Sequence, residues 1–314
     1  MSSETRLMDR SLLKRIVRFV VFATAFGFLL YYGQRHWQDV ADVIGEFRPL
    51  LIISALLFVT ASLFCKALMN LTLLRELLHT PMDSVALLHS YTQSQIVKYL
   101  PGKIWGVVFQ ASSLESHVRK SDVWVVSILQ IIILNSFAVL VLMATVVFID
   151  SLSLLQKFVV IGGGTLGFAL AYFNFGRILK LARLNAATVK KYAGLIDARL
   201  ARRIFLLLLL DWALYICMWG ALAYSNLSFF EVFVTAVNYT TASIVGWLVF
   251  FIPSGLVVRE AVFIAFGQVL GENLALLVVY SVVARLLFLS GDLLLFLMTS
   301  IYKGFNGRPK TTLG

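Results

Sequence analysis

Long apolar runs, separated by short polar segments, dominate the chain. A helix needs about 20 apolar residues to cross the hydrocarbon core of a bilayer. Six runs approach or exceed this length, and we interpret them as membrane-spanning helices: 16–33, 50–64, 123–149, 158–175, 204–224 and 274–301. The pattern predicts an all-α integral membrane protein in which residues 1–314 form a single polytopic domain.

Two further apolar stretches, 84–114 and 230–267, are interrupted near their middles. Pro101-Gly102 interrupts the first, and Pro253-Ser254-Gly255 interrupts the second. Proline removes a helical hydrogen bond, and both proline and glycine have low helix propensity. Each stretch can form a re-entrant hairpin or a pair of short crossings, and the second choice would give eight or more spans. In both cases the chain enters and leaves the membrane on the same side.

The basic residues concentrate in three polar segments and define the expected orientation. Residues 1–18, 177–203 and 302–314 hold 16 of the 27 lysines and arginines but only three acidic residues. Lys and Arg flanking the spans mark the cytoplasmic side of a membrane protein. We therefore expect a cytoplasmic (inner) membrane protein with both termini and the basic loop 177–203 in the cytoplasm. This distribution explains the net charge of +11 without a nucleic-acid partner.

The order of these segments indicates an inverted duplication, with halves at about 16–149 and 157–301. Each half reads span, span, interrupted hairpin, span, and the halves begin on opposite sides of the membrane. Five identities recur at a constant offset of 148 residues, with Tyr91, Thr92, Ile96, Val97 and Leu100 matching Tyr239, Thr240, Ile244, Val245 and Leu248. Inverted repeats with an interrupted segment at the same place in each half are typical of alternating-access transporters, whose site lies between the repeats.

Charged residues inside the apolar segments are the candidate functional residues. A charge near the middle of a membrane helix costs roughly 2.5–3.5 kcal/mol, so it is expected to have a partner and a role. A broken helix also frees backbone groups that only protein or water can satisfy, which points to a cavity. The predicted translocation site comprises Lys98, Pro101, Gly102, Lys103, Pro253, Gly255, Arg259, Glu260, Arg285 and Asp292.

The last span carries both a basic and an acidic residue, Arg285 and Asp292. They lie seven residues apart on one face, too far along a straight helix to bond directly. We expect Glu260 to pair with Arg285, and Lys66 or Arg259 to pair with Asp292.

A structural role is the alternative for several of these charges. Lys98 and Lys103 would then extend to the membrane interface, and the pairs between helices would serve packing alone. Asp211 is expected to pair with Arg202 or Arg203 near the end of its helix.

Cysteine and histidine do not indicate a cofactor or a metal site. Cys65 and Cys217 are single residues within apolar runs. The four histidines lack the paired spacing of metal ligands. The sequence therefore predicts neither a cofactor nor catalytic metal chemistry.

Two segments around the interruptions resemble a known family. Lys98-Tyr-Leu-Pro101-Gly102-Lys103 and Phe-Ile-Pro253-Ser-Gly-Leu-Val-Val-Arg259-Glu-Ala are similar to the two signature segments of the lysylphosphatidylglycerol synthase/flippase transmembrane-domain family, the membrane half of MprF-type proteins. The family layout covers almost the whole chain. Val257 replaces a common second glycine, and 107–110 lacks the usual acidic and basic residues.

This resemblance implies lipid translocation, which in MprF concerns aminoacylated phosphatidylglycerol. The chain resembles the stand-alone members, which have no aminoacyl-transferase domain, so an enzyme activity is not expected. We favour a flippase-like translocase that moves a phospholipid or lipid-linked substrate and has anionic membrane lipids as its partners. Lys103, Arg259 and the positive ends of the half-helices would attract phosphate.

Two alternatives stay open at this point. One is a membrane-embedded transferase acting on a lipid-linked substrate, although the chain has no Gly-rich phosphate loop and no acidic metal pair. The other is a non-catalytic membrane partner that recruits a soluble enzyme through the loop 177–203, although this loop also suits anionic lipid. The substrate identity, the energy source and direction of transport, and homo-oligomerisation are left open by the sequence.

Overall fold

A computed structural model describes residues 47–78, 83–98, 105–115, 118–166, 197–224, 226–248 and 258–306, and the single positions 38, 42 and 45. Within these ranges the chain forms nine helices and no β-strand. The helices are α1 Pro49–Leu78, α2 Ser84–Val97, α3 Trp105–Ser113, α4 Lys120–Val147, α5 Leu154–Leu166, α6 Ala198–Leu222, α7 Phe229–Leu248, α8 Val258–Val269 and α9 Leu274–Asn306.

Five of the described helices, α1, α4, α6, α7 and α9, are long and apolar enough to cross a membrane. The prediction of an all-α, multi-pass membrane protein is therefore confirmed. Helices α1, α4, α6 and α9 coincide with four of the six expected spans. The expected span 16–33 lies outside the described residues, and 158–175 is described only to residue 166, within α5.

The fifth candidate span, α7, belongs to the second interrupted stretch. It has 20 residues, which corresponds to a rise of about 30 Å. The equivalent helix α2 has only 14 residues, or about 21 Å, which is short of a full crossing. The two interrupted stretches therefore differ in the length of their first limb, in agreement with the longer distance from 230 to Pro253 than from 84 to Pro101.

Side chains at the helix starts explain where several helices begin. The Asp197 carboxylate accepts a hydrogen bond from the Leu200 amide (2.7 Å) at the start of α6. A capping box precedes α7, because the Glu231 carboxylate accepts from the Ser228 amide at 2.7 Å and the Ser228 hydroxyl accepts from the Glu231 amide at 3.4 Å. Such reciprocal bonds satisfy amides that a helix start leaves without a helical partner.

The packing of the helices is reciprocal between the two proposed halves. Helix α1 packs along α6, which is its counterpart in the other half. Helix α2 packs on α9, and in exchange α7, the counterpart of α2, packs on α4, the counterpart of α9. The contacts α2–α3 and α3–α4 likewise have equivalents in α7–α8 and α8–α9. The reciprocity is incomplete, because the contacts α1–α9 and α1–α4 have no equivalents of similar extent in α6–α4 and α6–α9 among the described helices. The inverted repeat, whose halves a two-fold axis in the membrane plane would relate, stays a prediction.

The interiors of the two halves differ in chemistry. In the second half the buried Trp219 ring contacts Tyr239 at 5.2 Å, Phe263 at 6.0 Å and Tyr280 at 6.2 Å between ring centroids. The corresponding region of the first half combines aliphatic residues with buried carboxamide side chains. Buried polar side chains occur in both halves, and the three buried carboxylates belong to the second half.

Candidate functional site

A polar cavity of about 410 Å³ lies among α1, α2, α3, α4, α7, α8 and α9. Four residues of the predicted site line it: Lys98, Arg259, Arg285 and Asp292. The predicted site residues Pro101, Gly102, Lys103, Pro253 and Gly255 lie outside the described residues. Helices from both proposed halves thus contribute side chains to one cavity.

Glu260 holds two arginines at the second interrupted stretch. Its Oε1 lies 2.7 Å from Arg285 Nη1 on α9 and 3.2 Å from Arg259 Nη2 on α8. The predicted pairing of Glu260 with Arg285 is confirmed. The Arg259 guanidinium also lies over the Tyr239 ring, 4.9 Å from its centroid, which is a cation–π contact. One carboxylate and one aromatic ring therefore fix the guanidinium of Arg259.

The close approach of α7 and α8 depends on a glycine. A Cβ placed on Gly246 would lie only 3.1 Å from the Arg259 Cβ. The absence of a side chain at this position lets the first turn of α8 lie against α7. This packing places the charged pair Arg259–Glu260 beside α9 instead of lipid.

Asp292 joins α9 to the end of α2. Its Oδ2 lies 2.8 Å from Lys98 Nζ, whereas the expected partner Lys66 pairs with Asp211, so the expectation for Asp292 was wrong in this respect. The register of α2 on α9 explains the pairing. Thr92 and Thr299 share a hydrogen bond at 2.8 Å, and the helices run antiparallel, so two turns further along Lys98 meets Asp292.

The other expected partner of Asp292, Arg259, pairs with Glu260. Helix packing decides whether Arg259 pairs with Glu260 or with Asp292, since both acids are buried next to the same cavity. Neither packing arrangement can be read from spacing within one helix.

Asp211 connects α6 to α1 in a way that sequence reasoning missed. Its Oδ1 accepts a hydrogen bond from the Ser62 hydroxyl at 2.5 Å and lies 3.3 Å from Lys66 Nζ. The expected pairing with Arg202 or Arg203 is wrong, because those residues lie eight or nine positions away, about 12–14 Å along the same helix.

Arg203 instead lies 2.8 Å from Glu76 at the other end of α1. This pair and the Asp211–Lys66 pair fix the antiparallel register of α1 and α6. The second of them also places a cation at the cavity wall.

The three ion-pair groups share one arrangement, in which the acid is buried and the cation faces the cavity. The carboxylate side chains of Asp211, Glu260 and Asp292 are 4%, 5% and 2% exposed. The exposed fractions of the cations are larger, at 25% for Lys66, 38% for Lys98, 16% for Arg259 and 22% for Arg285. Among the described residues four cations thus face three carboxylates, which leaves a net charge of +1 (4 − 3) on the cationic side of the cavity.

A chain of carboxamides forms another part of the cavity wall, and sequence reasoning did not identify it. The single hydroxyl proton of Ser127 is shared between the Val123 carbonyl oxygen at 2.9 Å and Gln110 Oε1 at 3.2 Å. Gln110 donates to Asn70 Oδ1 (2.8 Å), and Asn70 donates to Gln130 Oε1 (2.8 Å). Gln130 then donates to the Lys66 carbonyl at 2.7 Å. All four side chains are buried. Their presence inside otherwise apolar runs was the available signal, because polar residues in membrane helices face the protein interior.

The hydrogen bonds of this chain connect α1, α3 and α4, and the chain ends at the same residue, Lys66, whose side chain pairs with Asp211. The carboxamide wall and the cationic wall are therefore parts of one connected site.

The described residues contain no group of three His, Cys, Asp or Glu side chains placed to hold a metal ion. The cavity is instead lined by fixed cations and neutral hydrogen-bonding groups. A comparison with known protein families finds no match for this chain, and a comparison with curated proteins finds no significant similarity to any of them.

Proposed function

We propose that the protein is a flippase-like lipid translocase, which binds the headgroup of an anionic phospholipid or lipid-linked substrate in this cavity and moves it across the cytoplasmic membrane. The observation that carries the proposal is the set of buried carboxylates that hold partly exposed cations towards a cavity with an excess of positive charge. Ionisable groups within membrane helices commonly mark substrate pathways, and a buried ion pair is weak evidence for added stability.

The depth of the cavity supports a role in translocation. Lys98 lies 14 residues after Ser84, and Ser243 lies 14 residues after Phe229, so each lies about 21 Å from the start of its helix. Both residues line the cavity. With the expected topology, α2 enters from the cytoplasmic side and α7 from the opposite side, so the helices overlap near the middle of a core about 30 Å thick.

The ion pairs offer a way to couple binding to movement. A phosphate that enters the cavity competes with Asp292 for Lys98 and with Glu260 for the two arginines. Lys98–Asp292 joins α2 to α9, and Glu260–Arg285 joins α8 to α9. Weakening one of these links would release one hairpin from α9 while the other stays attached. Such alternation between two repeats is the general principle of alternating access.

The resemblance of the two interrupted segments to the lysylphosphatidylglycerol synthase/flippase family also supports the proposal. It concerns the residues around Lys98 and Arg259, which are cations of the cavity wall.

Reconstitution into vesicles tests this function. The purified protein should accelerate the transbilayer movement of fluorescent phosphatidylglycerol compared with protein-free vesicles. Arg259→Lys keeps the charge but loses the planar guanidinium that can bind two phosphate oxygens and stack on Tyr239, so the rate should fall about tenfold. Arg203→Lys, at an exposed pair outside the cavity, is the matched control and should keep the wild-type rate.

Two results would contradict the proposal or its site. The function is wrong if the wild-type protein does not accelerate the movement of any anionic lipid. The site assignment is wrong if Arg259→Lys and Glu260→Gln both reach the membrane at normal levels and transport at the wild-type rate. Arg285 and Asp292 would then be the next residues to test.

A further inference from the structure

The cavity wall has two chemically different regions, and the second is not explained by phosphate binding. The cationic region consists of Lys66, Lys98, Arg259 and Arg285. The neutral region consists of the carboxamides and the hydroxyl of the chain described above: Asn70, Gln110, Ser127 and Gln130. Binding of a phosphate group alone does not require a row of buried carboxamides at the cavity wall.

The carboxamides retain hydrogen-bonding capacity after their mutual bonds are counted. A carboxamide carries two N–H donors and an oxygen with two lone pairs. In the contacts of the described residues, Asn70 uses one N–H towards Gln130 and accepts one bond from Gln110. Gln110 uses one N–H towards Asn70 and accepts one bond from Ser127. Each therefore has a further donor and a further acceptor for a group that can both donate and accept, as a hydroxyl does.

The two regions meet at Gln95 and Lys66. The Gln95 carboxamide oxygen accepts a hydrogen bond from Lys98 Nζ at 3.1 Å, and Gln95 also lines the cavity. Lys66 provides its carbonyl to the carboxamide chain and its ammonium to the cationic region. A ligand that has hydroxyl groups one or two bonds away from its phosphate would contact both regions at once.

The same wall is unfavourable for a cationic headgroup. Asp292 is the one acid among the described residues that line the cavity, and it already pairs with Lys98. Glu260 and Asp211 lie behind cations that they hold in place. An ammonium group on the ligand would enter a region of net positive charge and find each nearby carboxylate already paired, so burial would not be compensated.

We infer that the substrate is an anionic lipid whose phosphate carries an uncharged polyol, such as glycerol or a sugar, and that the carboxamides of Asn70 and Gln110 recognise the polyol. This inference rests on the proposed function and specifies its substrate class. It differs from the aminoacylated, cationic headgroup that the family resemblance implies.

Binding of three short-chain lipids with identical acyl chains to the purified, detergent-solubilised protein tests this inference. The lipids are phosphatidylglycerol, which has a phosphate and a polyol, phosphatidate, which has a phosphate alone, and lysylphosphatidylglycerol, which has an added cationic group. Phosphatidylglycerol should bind about tenfold more tightly than each of the other two, a difference that a few additional hydrogen bonds and the avoided charge repulsion would supply.

Variants of the carboxamide chain test which residues make the distinction. Gln110→Met keeps the length of the side chain but removes its carboxamide, so the affinity for phosphatidylglycerol should fall to that for phosphatidate. The affinity for phosphatidate should stay at the wild-type value and shows that the cavity is folded. Asn135→Leu is the matched control, because the Asn135 carboxamide bonds to the Ile131 carbonyl of its own helix and does not line the cavity.

Ser127→Ala provides a gentler second variant, since it removes a hydroxyl whose proton is shared between Gln110 and the Val123 carbonyl of its own helix. It should reduce the preference for phosphatidylglycerol about threefold. The inference is overturned, and the proposed function kept, if the wild-type protein binds lysylphosphatidylglycerol or phosphatidate as tightly as phosphatidylglycerol. It is also overturned if both variants keep the full preference. Both the inference and the proposed function are overturned if none of the three lipids binds.

Discussion

Oε1 of Glu260 lies 2.7 Å from Nη1 of Arg285, and this contact joins the first turn of α8 to the middle of α9. The same oxygen lies 3.2 Å from Nη2 of Arg259. The Glu260 side chain is buried, so its charge is compensated by these guanidinium groups and not by water. Glu260, Arg259 and Arg285 thus form a compact charged cluster at the first turn of α8, after the interruption of the second stretch.

Replacing the acid of this cluster should destabilise the protein strongly. Glu260→Gln removes the negative charge and leaves two partly buried arginines without it. Breaking a buried ion pair by removing one member costs roughly 3–5 kcal/mol, so the free energy of unfolding should fall by about 3 kcal/mol or more. Chemical unfolding in detergent, followed by tryptophan fluorescence, measures this change.

Glu76→Gln is the matched control for this measurement. It breaks the Arg203–Glu76 pair, whose separation of 2.8 Å is close to the 2.7 Å of the Glu260–Arg285 pair. The Arg203 and Glu76 side chains, however, are 53% and 47% exposed. Exposed pairs contribute at most about 1 kcal/mol. Equal losses in the two variants would show that burial of Glu260 does not determine its contribution.

The Glu260–Arg285 pair shows which part of the site was predictable from sequence. Charges within apolar helices need partners, and Glu260 was a nearby acid available to Arg285. The positions of the charges in the sequence therefore led to the correct pair. Lys98 and Asp292 were both predicted as site residues, but not as partners. Their contact depends on the register of α2 against α9, which no pattern within either helix contains.

The carboxamide chain was missed for a related reason. Asn70, Gln110 and Gln130 belong to three different helices, and each alone is an ordinary polar residue in an apolar run. Their connection appears only when α1, α3 and α4 are packed together. The class of fold, in contrast, follows from hydropathy, since lipid leaves few choices to an apolar chain of this kind.

Gly106 is predicted to determine how closely α3 packs against α2 in the first interrupted stretch. A Cβ at this position would lie 2.8 Å from the Ser94 carbonyl oxygen, which is a backbone atom of the facing helix α2. Gly106→Ala should therefore push α3 away from α2 and reduce the free energy of unfolding by about 1–3 kcal/mol, as overpacking of a core does. Because Gly106 also lines the cavity, the affinity for anionic lipid should fall as well.

Gly163→Ala is the control for this substitution. A Cβ at Gly163 would meet no atom within 4 Å, and alanine has a higher helix propensity than glycine. The variant should be at least as stable as the wild type. A loss of stability equal to that of Gly106→Ala would mean that a cause other than the contact with Ser94 decides the outcome.

Glu272, in the connection between α8 and α9, should make stability depend on pH. Burial, assisted by the nearby Glu231 carboxylate, raises the pKa of its carboxyl to about 7. A hydrogen bond from Thr235 has the opposite, smaller effect, because it favours the charged carboxylate. Between the usual pKa of 4.5 and about 7, the native state retains a proton that the unfolded state has lost. The free energy of unfolding should therefore fall as pH rises through this window, by up to about 3 kcal/mol.

Glu272→Gln removes this titration, because a carboxamide stays neutral at every pH. Thermal unfolding at pH 5 and pH 8 should show a smaller difference for the variant than for the wild type, with the gain in stability at pH 8. Glu115→Gln, at the exposed pair with Lys120, should leave the pH profile unchanged. A wild-type protein that is equally stable at both pH values would contradict the prediction.

Labelling of single cysteines in intact cells should establish the orientation. Cysteines placed in 177–203 or 302–314 should be protected from an impermeant thiol reagent, because the clusters of Lys and Arg in these segments keep them in the cytoplasm. Cysteines placed in 150–156, just after α4, or in 226–230, just after α6, should react. In the expected topology these connections lie on the outer side of the membrane. The fraction of labelled protein, compared before and after permeabilisation, is the measurement.

The native cysteines must be replaced by alanine in this experiment, in particular Cys217, which is exposed on α6, whereas Cys65 is buried. Labelling of the 177–203 loop from outside would reverse the assigned orientation. Labelling of 150–156 and 177–203 from the same side would be more consequential, because the segment 158–175 would then not cross the membrane and the second half would lack its first span. The inverted repeat would be lost, and with it the argument that α2 and α7 approach the cavity from opposite faces.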